Sequence, residues 1–526
     1  MTNPSDALRL LITYAICIPL AIFVGYLLTV PMDYSSLGLL GIVFILLISP
    51  LFIKWYYPFL LFGLSAPMTC FFLLGSPPLW QVAVIISLGI AVVERTVNAN
   101  RKFLSAPMMV WPLLFIAALV LITAKLTGGI NLHAMGGEGG GGRKYVNLLL
   151  GIAAFFALTC RSVPPDRRRF YLMLFFLPAI FGVFSDLALV LPSPFNYIGL
   201  LFPPTTTYSP DEMELNPVAT LRFRGLSFAA AAVPYYLLAR YGLRGIFLAN
   251  KWWRPVVLAV FFGLSMLGGF RNMFVAFVLT CVLMFFLEGL HRTRLVLIVL
   301  IAGALGAGGL GVFSDRLPRT IQRSMCFLPF KWKTDVVMDA QGSTEWRLRI
   351  WQAVWPKVPQ YLVLGKGYSL SREDFEMIGQ GEFARRQFSH IDASEESLAI
   401  SNDYHSGPFS TLICFGLWGA IGMLWLMGAS TWVSFRNFRH GPPALKVFNI
   451  FMLASILYHN FSFFFIFGAF DNDIAYYAKM IGFSIAMNGG VARFAPRKTA
   501  AAAVRTTPLP ARLKYPVPAG TSPSRS

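Results

Sequence analysis

Three residues could do chemistry by their type and their place: Arg271, Arg347 and His405. Arg271 lies in Leu267-Gly-Gly-Phe-Arg-Asn272, between two apolar runs with almost no loop. An arginine at a membrane boundary costs free energy unless it snorkels or meets an anion. Gly268 and Gly269 are expected to leave room for a ligand at the backbone, which favours the anion. Arg347 lies in Ser343-Thr-Glu-Trp-Arg-Leu-Arg-Ile-Trp351. Ser343 or Thr344 can cap a short helix, with Glu345 in its first turn and Pro356 at its end. Arg347 and Trp351 then share one face, an arrangement suited to a phosphate beside a sugar or lipid. Arg349 points elsewhere, and a solvated charged face remains an alternative for both arginines. His405 lies in Asn402-Asp-Tyr-His-Ser-Gly-Pro408, where polar sequence gives way to an apolar run. A neutral imidazole can accept a proton. Asp403 is the nearest rival base, with Glu395 and Glu396 behind it. A lone histidine is often structural, but its place at the membrane surface favours His405.

The elements that must position these residues are membrane helices. The chain has 526 residues, 56% hydrophobic and only 13% charged, with a mean hydropathy of +0.62. A soluble domain carries about 25% charged residues. About fourteen apolar runs can be drawn, many near the ~20 residues that cross a bilayer. They are Leu8–Val30, Ser36–Ile53, Tyr57–Gly75, Leu79–Val93, Pro107–Lys125, Tyr145–Cys160 and Phe170–Leu191. Phe223–Leu238, Pro255–Gly269, Asn272–Glu288, Leu295–Phe313, Gly407–Trp432, Val447–Gly468 and Ile474–Gly489 follow. The expected fold is an all-α polytopic membrane protein with about 12–14 transmembrane helices and one large, partly helical periplasmic loop. Residues 1–313 and 407–492 are its membrane parts, 314–406 the catalytic loop, and 493–526 a disordered basic cytoplasmic tail.

Basic loops set the orientation. With the N-terminus inside, the clusters around Arg95, Arg167, Arg240, Arg292 and Arg436 and the tail after Arg493 all fall on the cytoplasmic side. Arg143-Lys144 is the exception. The formal charge of +20 therefore reads as membrane-rim charge, with the lipid bilayer as partner and no nucleic acid. The loop from Ser314 to Ser406 stays outside, and it too is basic in places, with acidic residues that offset its cations. Cations on the disfavoured side call for an anionic ligand at the membrane surface.

No pair among the six cysteines has the CxxC spacing of a thiolate metal site. Gly136–Gly142 lacks the Lys-Ser/Thr of a phosphate loop and reads as a connector. A transporter would need charges along its path through the membrane. Asp186 and Glu288 lie near span ends, and mid-span charges are scarce.

Together these motifs resemble the superfamily of O-antigen ligases and O-antigen polymerases, bacterial envelope glycosyltransferases. The resemblance rests on Gly-Gly-Phe-Arg271-Asn, Arg347-Leu-Arg-Ile-Trp351, Pro359, Gly365-Lys-Gly367 and His405 with Gly416 and Gly419 after it. Arg222-Phe-Arg-Gly225 corresponds to an earlier family element. Two departures are Ser406 in place of the family's Asn and Phe270 in place of its Ser. The resemblance implies transfer of a glycan from a polyprenyl (undecaprenyl) diphosphate carrier to an acceptor hydroxyl, without cofactor or metal. The acceptor is a glycan or glycolipid, and the active site faces the periplasm from the inner membrane. Arg271 and Arg347 would hold the diphosphate and His405 would take the acceptor's proton. Arg222, Arg224, Arg349, Trp351 and Asp403 would line the substrates. A polymerase of the same superfamily is the nearest alternative, and a flippase for lipid-linked glycans a more distant one.

Overall fold

The structure, a computed structural model, describes residues 53–98, 103–128, 141–204, 222–368 and 404–492, a few single positions excepted. Most of the first two expected spans, most of Gly136–Gly142, the acidic candidates Asp403, Glu395 and Glu396, and the basic tail lie outside these residues.

Among the described residues the chain forms helices and no strand; a lone bridge pairs Thr69 with Pro78. The first half comprises α1 (53–65), α2 (Leu79–Val97), α3 (Pro107–Thr127), α4 (Gly141–Thr159), α5 (Arg168–Phe176), α6 (Val183–Val190) and α7 (Arg224–Phe247). Then come α8 (Trp253–Ser265), α9 (Arg271–Leu287), α10 (Leu295–Phe313), α11 (Arg319–Met325), α12 (Thr334–Val354), α13 (Gly407–His440), α14 (Lys446–Phe465) and α15 (Phe470–Asn488). Among the described residues six stretches are long and apolar enough to cross a membrane: Leu79–Val97, Pro107–Thr127, Pro165–Ala188, Leu295–Arg316, Gly407–His440 and Pro443–Phe465. Trp253–Gly268 and Arg271–Leu287 are shorter apolar helices. The protein is an all-α polytopic membrane protein.

Close packing centres on α15. Gly151 of α4 faces Ala475, and Gly482 of α15 faces Leu158 and Phe155. Small residues at these points let the backbones approach, which is how helices associate where lipid removes the hydrophobic drive. Phe175 stacks on Phe483 at 4.0 Å. Phe415, Phe451, Phe470 and Tyr477 fill the interior around them.

Several apolar runs are interrupted where sequence reading drew one span. Residues 66–78 leave the helix in a loop held by Cys70 N–H to the Pro77 carbonyl and Leu79 N–H to the Met68 carbonyl. The run Phe170–Leu191 is broken by the tight turn Leu177–Gly182, which carries Pro178. Helix α7 runs past Leu238 to Phe247 and breaks at Gly242, φ +63. Glu288 meets that break, its carboxylate accepting the N–H groups of Leu243 and Arg244 at 2.8 and 2.9 Å. Asp186 accepts those of Gly225 and Leu226 at the start of α7, at 3.2 and 2.7 Å. Both carboxylates cap helix N-termini, a structural use of charge near span ends.

Candidate functional site

Arg271 is the first residue of α9. Before it the chain makes a tight turn, Met266–Gly268, then passes through Gly269 at φ +65. That conformation favours glycine. A Cβ on Gly268 would lie 2.6 Å from Ser227 Oγ. The glycine pair thus serves backbone packing and turning rather than ligand access, since Ser227 fills the space expected to be open. Arg323 fixes the turn from the other side. It is buried, its Nη1 donates to the Gly269 carbonyl at 2.9 Å, and its Nε donates to Asp339 at 2.5 Å. Arg222 runs beside the same turn: a Cβ on Gly269 would lie 3.9 Å from Arg222 Cγ. Arg224 is exposed, its guanidinium 5.7 Å from the Phe228 ring.

Helix α12 begins at Thr334, well before the expected cap, so Ser343 and Thr344 are interior helical residues. The run Thr334–Gln341 contains no helix breaker, and Gly342 is tolerated within it. Thr344 bonds instead to Arg271: both terminal nitrogens donate to its Oγ1 at 3.1 Å, and Nη2 also donates to the Ala340 carbonyl at 3.2 Å. The hydrogen bonds of Arg271 here go to neutral oxygens, while Arg323 and Asp339 act on its charge from nearby. Among the described residues no carboxylate lies within ion-pair distance of it.

Ala340, Thr344, Arg347 and Trp351 follow each other at spacings of four, three and four along α12, which places them on one face. From Thr344 to Trp351 the rise is ~10 Å. Arg347 is half-buried and Arg349 exposed. At the far end of this face the Trp351 indole N–H donates to the Tyr404 carbonyl at 2.9 Å. Trp351 and Trp355 lie against Phe409, with ring centres 6.1 and 5.9 Å apart.

His405 follows Tyr404 with φ +49, uncommon for a residue with a Cβ. Its ring stands edge-on to Phe467 at 5.2 Å. Next to it, Gly407 is pressed against Phe463 and Gly468, where a Cβ would lie 2.5 Å from the Phe463 ring. Burial pushes the Tyr404 phenol above its ordinary pKa, so it keeps its proton and is no rival base.

Helix α13 breaks at Gly416, φ +62. The break frees carbonyls, and the Gly365–Gly367 segment takes them: Lys366 N–H donates to Ile413 at 2.7 Å and Gly367 N–H to Cys414 at 2.9 Å. Leu417 N–H returns a bond to the Leu362 carbonyl at 2.7 Å. Gly365 and Gly367 are themselves at positive φ. The two glycine motifs noted in the sequence are two halves of one joint.

Sequence reasoning singled out Arg271, Arg347, Trp351 and His405, and α12 brings them into one line. Arg222 borders the turn of Arg271, whereas Arg224 and Arg349 are exposed, and Asp403 lies outside the described residues. It missed Thr344 as the partner of Arg271, and it missed Arg323 and Asp339. The last two lie on separate helices, and no local motif pairs them. Cys326 sits in the same corner, donating to the Arg323 carbonyl at 3.3 Å. Burial pushes its thiol up, and Arg271 and Arg323 oppose that shift.

Residues 255–424 match the family model described as O-antigen ligase. This match places residues 255–424 with the O-antigen ligase superfamily. The matched region holds Arg271, Arg347, Trp351, His405 and Gly416, and leaves out Arg222 and Arg224. The family supports a membrane glycosyltransferase of the O-antigen ligase or polymerase kind. No curated protein matches the chain.

Proposed function

We propose that the protein transfers a glycan from a polyprenyl diphosphate carrier to an acceptor hydroxyl at the periplasmic face of the bacterial inner membrane, in the manner of a ligase. One observation carries this reading. A single face of α12 joins the guanidinium of Arg271, through Thr344 and Arg347, to the backbone that presents His405.

In the reaction the acceptor oxygen forms a bond to the anomeric carbon, and the bond from that carbon to the carrier's phosphate oxygen breaks. Negative charge builds on the departing diphosphate. Arg271 and Arg347 stabilise it with fixed charge, which costs no rearrangement at the moment of reaction. The acceptor's proton passes to the His405 imidazole. Guanidiniums in this role replace a divalent ion, so the proposed reaction needs no metal. Arg222 and Trp351 border the donor. Residues 314–406 form the catalytic loop, outside the cytoplasm by the alternation of basic loops.

Purified protein in lipid, given a polyprenyl diphosphate-linked glycan with and without a glycolipid acceptor, tests the reading. A ligase releases free carrier diphosphate only when the acceptor is present. Growth of longer carrier-linked glycans without it would identify a polymerase. No consumption of donor under either condition would overturn the proposal.

A further inference from the structure

Tyr458, His459 and Asn460 are consecutive on α14, roughly 10 Å from its end at Phe465 at 1.5 Å per residue. Successive helical side chains point about 100° apart, so this short stretch reaches three neighbouring helices. Tyr458 donates its hydroxyl to Asn272 Oδ1 at 2.5 Å, next to Arg271 on α9. His459 Nε2 lies 2.7 Å from Asp473 Oδ1 on α15, with side chains 17% and 7% exposed. The two groups are in close contact, without the geometry of an aligned hydrogen bond. The ring also stacks on Tyr476 at 3.7 Å. Asn460 donates to Thr431 of α13 at 2.9 Å and accepts from Tyr477 of α15 at 2.7 Å.

Polar groups in a membrane interior are costly, and Tyr458 and Asn460 spend theirs on hydrogen bonds to neighbouring helices. Two of the links lead to the site. Tyr458 holds Asn272, and Asn272 opens α9 together with Arg271. Asp473 uses its second oxygen to accept the Ala469 N–H at 2.8 Å. Ala469 ends the segment in which Phe467 meets the His405 ring and Gly468 meets Gly407.

We propose that Tyr458 and His459 are positioning residues, one for each half of the site. Tyr458 sets the Arg271 turn through Asn272. His459 sets the His405 return through Asp473, Ala469 and Phe467. The inference rests on the roles given above to Arg271 and His405.

It predicts opposite kinetic signatures from adjacent residues. The assay is steady-state transfer by the full-length protein in lipid, with a polyprenyl diphosphate-linked glycan as donor. Tyr458→Phe removes only the hydroxyl, and donor KM should rise about 3- to 10-fold with kcat within about twofold. His459→Phe keeps the stacked ring and removes the nitrogens. Its kcat should fall about tenfold while donor KM stays within about twofold. Asp473→Asn, close in shape, should repeat the His459→Phe pattern and serves if that variant fails to accumulate. A merely structural role would move both parameters together in all three. That outcome, or wild-type behaviour, would overturn the inference. Arg271→Ala and His405→Ala in the same assay separate the two levels: normal turnover in both would sink the site itself, whereas their loss without a split at Tyr458 and His459 would sink the positioning alone.

Discussion

The indole N–H of Trp351 donates to the carbonyl of Tyr404 across 2.9 Å, so the helix carrying Arg347 also fixes the backbone one residue before His405. In the proposed reaction the charge-stabilising and proton-accepting groups therefore share one ruler. Trp351→Phe keeps the ring against Phe409 and deletes the bond. One hydrogen bond contributes about 0.5–1.5 kcal/mol, so kcat should fall about 2- to 10-fold with donor affinity kept. Unchanged kcat in Trp351→Phe beside a large loss in Trp351→Ala would assign the residue to packing.

Arg271→Ala and Arg347→Ala should each cut transfer by ~30- to 1,000-fold, because a fixed contact to a developing anion is worth on the order of 2–4 kcal/mol. Thr344→Val should lose much less, since it removes only a neutral tether of Arg271. Single-turnover rates with pre-bound donor measure this. A Thr344→Val loss as large as that of Arg271→Ala would mean the tether, not the charge, does the chemistry.

His405 occupies a left-handed backbone conformation that costs roughly 1–3 kcal/mol for a residue with a side chain. His405→Gly relieves the strain and removes the imidazole. The variant should melt at or above the wild-type temperature while losing transfer, with donor binding retained. Thermal denaturation in detergent, run beside the transfer assay, checks it. Surviving activity would remove His405 from the mechanism.

Cys326 offers a reporter beside Arg271. Burial raises its thiol, so the reactive thiolate is scarce at neutral pH and grows as pH rises towards that elevated pKa. In a variant with the other five cysteines replaced, maleimide labelling should accelerate with pH and slow when a polyprenyl diphosphate analogue is bound. A membrane-impermeant reagent applied to intact spheroplasts should reach it, as the proposed orientation requires. Labelling confined to opened membranes would reverse the topology.

Gly416 should tolerate no side chain. A Cβ there would lie 2.6 Å from the Leu362 carbonyl, and φ is +62. Gly416→Ala should lower both melting temperature and transfer. Gly428→Ala, where a Cβ meets nothing within 4 Å, should keep both. Equal tolerance at the two positions would show that the helix break is not needed.

The spans were legible because apolar length is a coarse signal, and Leu295–Phe313 is a helix with the bounds read from sequence. The breaks were not. A glycine in an apolar run can serve close packing, as Gly482 does, or a reversal, as Gly416 does, and composition does not tell the two apart. Arg271, Arg347 and His405 stood out by type and address. Their linkage did not, because Arg271–Thr344, Arg323–Asp339 and Trp351–Tyr404 are contacts between helices and loops distant in sequence. The expected cap at Ser343 or Thr344 failed because a good N-cap residue is equally at home in a longer helix when its hydroxyl finds a partner.

The joint at Gly416 has a mechanical corollary. Gly367 is fastened to Cys414, and Tyr404 leads directly into Gly407, so Gly367 and Tyr404 both sit against the same short stem at 407–415. A displacement of that stem carries Gly367 and Tyr404 with it, and through the Tyr404 carbonyl it reaches the indole of Trp351. In engineering terms the stem is a bracket: one broken helix holds both the Gly365–Gly367 turn and the return that presents His405.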